Sequence, residues 1–365
     1  MNRSTPHIWL RDEVKPFEHR TALTPKEVRL LLENGFEVTV ESSENRVFPD
    51  SEYVKAGART VAAGTWRQAP KDAFILGLKE LPAEDSPLIH RHIFFAHAYK
   101  NQTGWQKTID RFKRGGGTLL DLEFLVDDSG RRVAAFGRWA GFAGSAVAVD
   151  LWCQTILHPS EPLGFLEPVS DRSILVDRLT RKLNHAVERA DRRPSAMVIG
   201  ARGRCGSGAV ELFSDLGLGD TVTAWDLAET AKGGPFAEIL NHDIFVNCVL
   251  LGETIPPFLT PELLQGPRKL SVISDVSCDP NSPHNPIPIY DQTTTFAHPS
   301  IRLQPATAER PALDLTAIDH LPSLLPKESS EDFAHQLVDH LLALRESSPV
   351  WRRAEALYRK FEAKI

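Results

Sequence analysis

Residues 198–209 read VIGARGRCGSGA, an apolar run that breaks into Gly200, Gly203, Gly206 and Gly208. The stretch PSAMVIG (194–200) before the glycines has strand chemistry, and AVELFSDLG after them has helix chemistry. That setting carries more weight than the spacing, because GxxGxxGxG is a variant of the dinucleotide-binding fingerprint. Small residues let the backbone approach a pyrophosphate, and a helix N-terminus offers free N–H groups at the positive end of its dipole. The next strand, TVTAWD, ends on Asp226, twenty residues beyond Gly206. A carboxylate there accepts hydrogen bonds from an adenosine ribose and repels a 2′-phosphate, which favours NAD over NADP. A tight turn with a surface aspartate explains these residues less fully, since strand, loop, helix, strand and acid come in order. Arg204 reads either as a cover for the pyrophosphate or as a solvated arginine.

Outward from this loop the chain alternates strand and helix signals. Downstream lie the strands DIFVNCVLL (243–251) and KLSVISDVS (269–277), then the proline-rich loop CDPNSPHNPIPIY. Upstream, Thr24 and Glu27 form a capping box with Pro25 at the first helical position, and Gly35 stops the helix. Strands are predicted at FEVTVE (36–41), AFILGLK (73–79), HIFFAHAY (92–99) and TLLDLEFL (118–125), and a helix over 140–157. Alternation of this kind implies a largely parallel α/β sheet. Two amphipathic helices close the chain, around 331–346 and 350–362, and their apolar stripes are expected to pack on the first domain. The predicted organisation is a discontinuous substrate and catalytic domain, 1–137 plus 325–365, and a dinucleotide-binding domain, 138–324.

The bulk numbers fit this picture. A chain of 365 residues exceeds one average core. A net charge of −6 and a pI near 6.1 argue against a nucleic-acid partner. No apolar run is expected to reach membrane-span length, the amino terminus lacks a secretory core and the carboxyl terminus FEAKI shows no address signal. The four cysteines form no CxxC pair, so a reducing, cytoplasmic setting is expected.

In open α/β sheets, ligands bind outside the carboxyl ends of the strands. Two predicted strands there deliver proton-transfer groups, Lys79 and His97. A histidine titrates near neutrality, and burial or neighbouring cations tune a lysine down toward that range. Each alone reads more simply as a solvated cation or a packing histidine; together, in a domain facing a dinucleotide domain, they favour catalysis. Arg20 in KPFEHRTALTP and the pair Arg131, Arg132 suit an acidic substrate, because guanidinium groups bind carboxylates bidentately, and surface ion pairs are the bland alternative. His90 and His92 with His97 do not make a convincing metal site, so no metal is expected.

Taken together, KPFEHRTALTP, GLKELP, FFAHAYK, DLEFLVDDSGRRVAAFG, GRCGSGA, KGGPF, SPHNPIPIY and IDHLPSLLPKESS resemble the fungal NAD-dependent, L-lysine-forming saccharopine dehydrogenases. The resemblance runs from about residue 8 to the final helices, within a wider group of alanine dehydrogenase and transhydrogenase relatives. It implies an α/β protein with two Rossmann-like domains, their parallel sheets flanking a central cleft. It also implies NAD-dependent oxidation of saccharopine to lysine and 2-oxoglutarate, the last step of the aminoadipate route, by a monomer. By motif, Lys79 and His97 match the family's acid–base pair, and Arg20, Gln102, Arg132, Phe136 and Val276 match substrate contacts. Arg131, Gly203, Arg204, Asp226, Thr230, Ile318, Asp319, His320 and Leu321 match NAD contacts. Leu250 stands where a cofactor-contacting tyrosine is expected. Cys205 and Cys248 match a pair able to form a disulfide near the cofactor. A related opine-type dehydrogenase with another substrate, or a non-catalytic NAD-binding redox sensor, are the competing readings.

Overall fold

A computed structural model describes residues 5–99, 104–346 and 348–365. The chain divides into two compact units, Met1–Ala135 with Pro326–Ile365, and Phe136–Leu325. In chain order the first segment carries β1 (His7–Leu10), α1 (Pro25–Glu33), β2 (Glu37–Glu41), α2 (Asp50–Lys55), β3 (Arg59–Val61), β4 (Phe74–Leu76), β5 (Arg91–Phe94), α3 (Trp105–Gly115) and β6 (Thr118–Asp121). The middle segment carries α4 (Gly137–Leu157), α5 (Arg172–Ala190), β7 (Ala196–Ile199), α6 (Arg204–Asp215), β8 (Val222–Trp225), α7 (Leu227–Thr230), β9 (Ile244–Asn247), β10 (Val272–Asp275), β11 (Ile301–Gln304) and β12 (Leu313–Thr316). The tail is α8 (Pro326–Leu342) and α9 (Pro349–Glu362).

The first unit holds one parallel sheet in the order β3-β2-β1-β4-β5-β6. The chain reverses direction across the sheet between β1 and β4, which makes their carboxyl ends the topological switch point. Runs such as Phe74–Leu76 are buried throughout, as strands covered on both faces require. Tyr358 and Phe361 of α9 pack with Trp9, Ile75, Phe112 and Leu119, so the last helix completes this core. Thr24 does cap α1 by position, but its hydroxyl donates to the Glu27 carboxylate instead of accepting a backbone N–H. The expected reciprocal box is therefore reduced to a side-chain pair.

The second sheet runs β11-β12-β10-β9-β7-β8, parallel except for the edge strand β11. Its switch point lies between β7 and β9, and the glycine loop leaves β7 there. Here one expectation fails. Helix α4 is long and apolar enough to cross a membrane by length and composition. Its Phe142, Val147, Leu151 and Trp152 are instead buried in the core of the second unit, with Val198, Leu212 and Val246. A helix that is apolar all round is what a fully covered core position demands.

Candidate active site

Lys79 lies three residues beyond β4, and His97 lies three residues beyond β5, its parallel neighbour. The two loops stay joined past the strands, with Gly77 N–H donating to Ile93 C=O at 3.0 Å and Phe95 N–H to Leu78 C=O at 3.0 Å. Both side chains are half-buried at the carboxyl edge of the sheet. The peptide of Lys79 is gripped from two directions. Buried Glu13 accepts from Leu78 N–H at 2.6 Å and from Lys79 N–H at 2.9 Å, while Arg11 donates to the Lys79 carbonyl. Arg11 also pairs with Glu13 at 3.3 Å, and the Arg11 side chain lies where a Cβ on Gly77 would be, 2.4 Å from Arg11 Nε. Burial pushes the Glu13 carboxyl up, against the pull of Arg11 and the two N–H groups. His97 Nε2 stands 3.9 Å from Glu80 Oε1.

The arginines fall differently from one another. Arg20 is buried, and its Nε and Nη2 bond Glu18 at 2.7 and 2.6 Å. Burial alone would raise the Glu18 carboxyl, but the Arg20 charge and hydrogen bond, with the Lys79 charge, hold it at about 2. The side-on edge of the Arg20 guanidinium is thus taken by a carboxylate of its own chain. Arg132 is exposed and sits 3.6 Å from Glu123. Arg131, matched above to NAD, belongs to the first unit, in a tight turn where its Nε bonds Ser129 Oγ at 3.0 Å. Gln102 lies outside the described residues. His90 and His92 are core residues: His90 bonds the Ala69 carbonyl at 3.0 Å, and His92 lies edge-on to Trp66 and Phe112. Burial drives His92 well below its ordinary range, so it is a neutral packing residue.

In the second unit, the glycines have separate steric reasons. Gly200 has φ +85, and a Cβ on it would lie 2.8 Å from Val249. A Cβ on Gly206 would lie 2.1 Å from the Gly200 carbonyl oxygen, and one on Gly208 would lie 1.9 Å from that of Arg138 on α4. Gly203, the N-cap of α6, has only the Gly200 oxygen at 3.4 Å, so the loop is open at the helix N-terminus. Asp226 stands beside it, accepting Arg202 N–H at 2.8 Å and Leu227 N–H at 2.9 Å. Those N–H groups hold its carboxyl below the usual range. A close-packed turn, an open helix N-terminus and an ionised acid at the end of β8 fit a dinucleotide.

Comparison with known proteins bears on both units. Residues 9–143 match the family model "Alanine dehydrogenase/PNT, N-terminal domain". The chain is 50% identical over 366 residues to saccharopine dehydrogenase (NAD(+), L-lysine-forming) of Schizosaccharomyces pombe, covering 99% of each. It is 51% identical over 363 residues to that of Yarrowia lipolytica, covering 98% of each. The chain belongs to the lysine-forming saccharopine dehydrogenase family. An L-alanine dehydrogenase structure superposes with TM-score 0.65 at 17% identity, covering 97% of this chain and 94% of that one, which extends the fold beyond the family.

The remaining residues matched to the saccharopine dehydrogenases divide between core and surface. Ile318 and Leu321 are fully buried in the second unit, so any cofactor contact from them must be through the backbone. Asp319 is exposed, and the His320 ring lies 4.7 Å from that of Phe296. Thr230 ends α7, its hydroxyl donating to Asp226 C=O at 2.9 Å. Leu250 is exposed, an apolar side chain where the saccharopine dehydrogenase motif leads one to expect a tyrosine. Phe136 is the N-cap of α4, and Val276 packs on the main core of the unit. All four cysteines are free, so the structure contains no disulfide. Burial pushes the Cys248 thiol well above its ordinary range, and the neighbouring Cys205 thiol adds to the rise.

A cavity of about 790 Å³ at the amino edge of the second sheet is lined by Arg192, Arg268, Lys269 and Arg302. Asp243 pairs with both Arg192 and Lys269, and Asp314 pairs with Arg302, so two carboxylates offset half of these four positive charges. Sequence reasoning missed Glu13, Glu18, Glu80 and Asp121 as parts of the first unit's edge. Glu18 sits in the same quoted motif as Arg20, and Asp121 within DLEFL, yet only the fold shows which backbone groups they face.

Proposed function

We propose that this protein oxidises saccharopine with NAD, reversibly, to L-lysine and 2-oxoglutarate, as the last step of lysine biosynthesis. The observation that carries the reading is identity near half over essentially the whole chain to lysine-forming saccharopine dehydrogenases. The glycine loop, the N-terminus of α6 and Asp226 hold the cofactor, and bound NAD supplies the hydride acceptor. Lys79 takes the proton from the secondary amine of the substrate, and it manages proton transfer at the imine that follows. His97 removes a proton from the water that attacks this imine and returns one to the departing lysine amine. A pair of groups on adjacent strand ends suits a reversible sequence in which the same protons are taken and given back. Arg132 orients a substrate carboxylate, and Arg20 holds Glu18 beside the Lys79 charge.

The test is NADH formation with saccharopine and NAD, set against NADP and against other N-linked amino-dicarboxylates. Turnover restricted to a different opine, or absent, overturns the reading. The same reading has the enzyme working as a cytoplasmic monomer, which gel filtration and cell fractionation test. Cys205 and Cys248 are a second-order assignment: a thiol oxidant such as diamide takes two electrons and two protons and leaves an S–S bond. Mass spectrometry of the oxidised, unreduced protein that finds both thiols intact would overturn it.

A further inference from the structure

We propose that Glu13, together with Arg11, is a positioning residue for Lys79, fixing the backbone from which its amine projects. The proposal rests on the reading of Lys79 as a proton-transfer group. The β1–β4 ladder pairs Leu10 with Leu76, and its last bond is Arg11 N–H to Leu76 C=O at 2.9 Å. Past that point the chain leaving β1 offers residues 77–79 side chains in place of a ladder. Glu13 Oε1 accepts Leu78 N–H at 2.6 Å, and Glu13 Oε2 accepts Lys79 N–H at 2.9 Å. Arg11 Nη2 donates to the Lys79 carbonyl. The N–H and the C=O of Lys79 are thus both held. Because each belongs to a planar peptide group, holding them fixes φ and ψ at the Lys79 Cα.

Capping two N–H groups past a strand end does not by itself call for this pair. A buried N–H needs one acceptor, which an amide or hydroxyl oxygen supplies without burying a charge. Here three donors fall on both carboxylate oxygens: Leu78 N–H on Oε1, and Lys79 N–H with Arg11 Nη1, at 3.3 Å, on Oε2. A glutamine would turn its NH₂ toward one of these sets of donors, so only the ionised carboxylate serves all three. The Arg11 and Glu13 side chains are 1% and 8% exposed, and burying two charges is costly unless their geometry repays it. Gly77 makes room for the arrangement, since a Cβ there would run into the Arg11 guanidinium. Gly77 has no positive φ, so its lack of a side chain answers to Arg11 and not to its own backbone. Carboxylate, guanidinium and glycine therefore form one clamp around the Lys79 peptide.

The experiment uses the full-length enzyme with Glu13→Gln and Gly77→Ala, each alone and each combined with Lys79→Met, beside Lys79→Met itself. It follows kcat and the KM for NAD, with the melting temperature showing that each variant is folded under assay. Glu13→Gln is expected to lower kcat by about tenfold to a hundredfold, the scale of a misplaced reacting group. The KM for NAD is expected unchanged, because the glycine loop belongs to the other unit. Gly77→Ala displaces Arg11 while leaving Glu13 in place, and is expected to lower kcat in the same way. Neither change is expected to slow Lys79→Met further, since the clamp acts only through the amine. A purely structural role would cost the same factor in both backgrounds, and that result overturns the proposal. So does near-normal kcat in Glu13→Gln beside a slow Lys79→Met. If Glu13→Gln does not fold, Gly77→Ala decides alone: a loss confined to the Lys79 background supports the clamp, and an equal loss or none overturns it. Near-normal turnover in Lys79→Met strikes the acid–base assignment itself, and is read from that variant alone.

Discussion

Lys79 and His97 leave neighbouring strands at matching distances, and their loops remain hydrogen-bonded to each other. Two such groups acting in one proton sequence make a sharp prediction. Lys79→Met and His97→Gln are each expected to lower kcat by about 10²–10⁴-fold with the folded protein intact. Steady-state rates with saccharopine and NAD, beside far-ultraviolet circular dichroism, check it; a variant near wild-type rate removes that residue from the mechanism. Asp226 carries a second prediction. Its carboxylate is held ionised by Arg202 and Leu227 N–H groups, so a 2′-phosphate would meet a fixed negative charge. Asp226→Ser is expected to raise kcat/KM with NADP and to lower it with NAD. An unchanged ratio of the two would place the ribose elsewhere. Lys79 and Asp226 stand at the ends of predicted strands, and His97 near the end of one, which is why they were singled out. Arg20 was legible as a carboxylate binder, but the carboxylate it binds in the fold is Glu18, two residues away. No spacing rule could show that, since the pairing depends on how the loop after β1 turns.

At the scale of elements, the strands that were predicted fall in the right places but were read too long, and β1, β3, β11 and β12 were not foreseen. AFILGLK and HIFFAHAY contribute only Phe74–Leu76 and 92–94 to the sheet, β5 starting one residue earlier at Arg91, because the residues after them turn into loops. The apolar composition of those tails comes from packing beneath the loops, as with Ala98 and Tyr99 in the first core. Helix α6 was expected to begin after the glycines and begins at Arg204, within them. Gly206 and Gly208 are therefore helical, and they are small because other backbone passes against them. The crossing of α4 and α6 is the clearest case: a Cβ on Gly141 would lie 1.8 Å from the Cys205 carbonyl oxygen, and one on Gly208 1.9 Å from that of Arg138. Backbone gives way less easily than a flexible side chain, so each single methyl should act as overpacking. Gly208→Ala is expected to destabilise by about 1–3 kcal/mol or more and to lower the melting temperature. Urea unfolding measures it. A variant as stable as the parent would mean the helices can part without cost.

For the molecule as a whole, each unit carries its proposed functional residues at the carboxyl edge of its sheet, near its switch point. Two buried carboxylates act in opposite senses. Glu18, held at about 2 against burial by Arg20 and Lys79, contributes stability that is fully present above the ordinary carboxylate range and is lost as pH falls through about 2. Asp121 is raised from 3.8 to about 7, so the folded state binds a proton that the unfolded chain releases. By linkage its ionisation removes stability as pH rises from about 4 to about 7, by up to roughly 4 kcal/mol. The neutral isostere has no such penalty. Thermal unfolding of the parent and of Asp121→Asn should therefore nearly coincide at pH 4, or favour the parent by the loss of one acceptor. Their melting temperatures should separate with rising pH, the variant becoming the more stable by pH 8. A difference in melting temperature that stays constant from pH 4 to pH 8 would show that Asp121 does not titrate in this window.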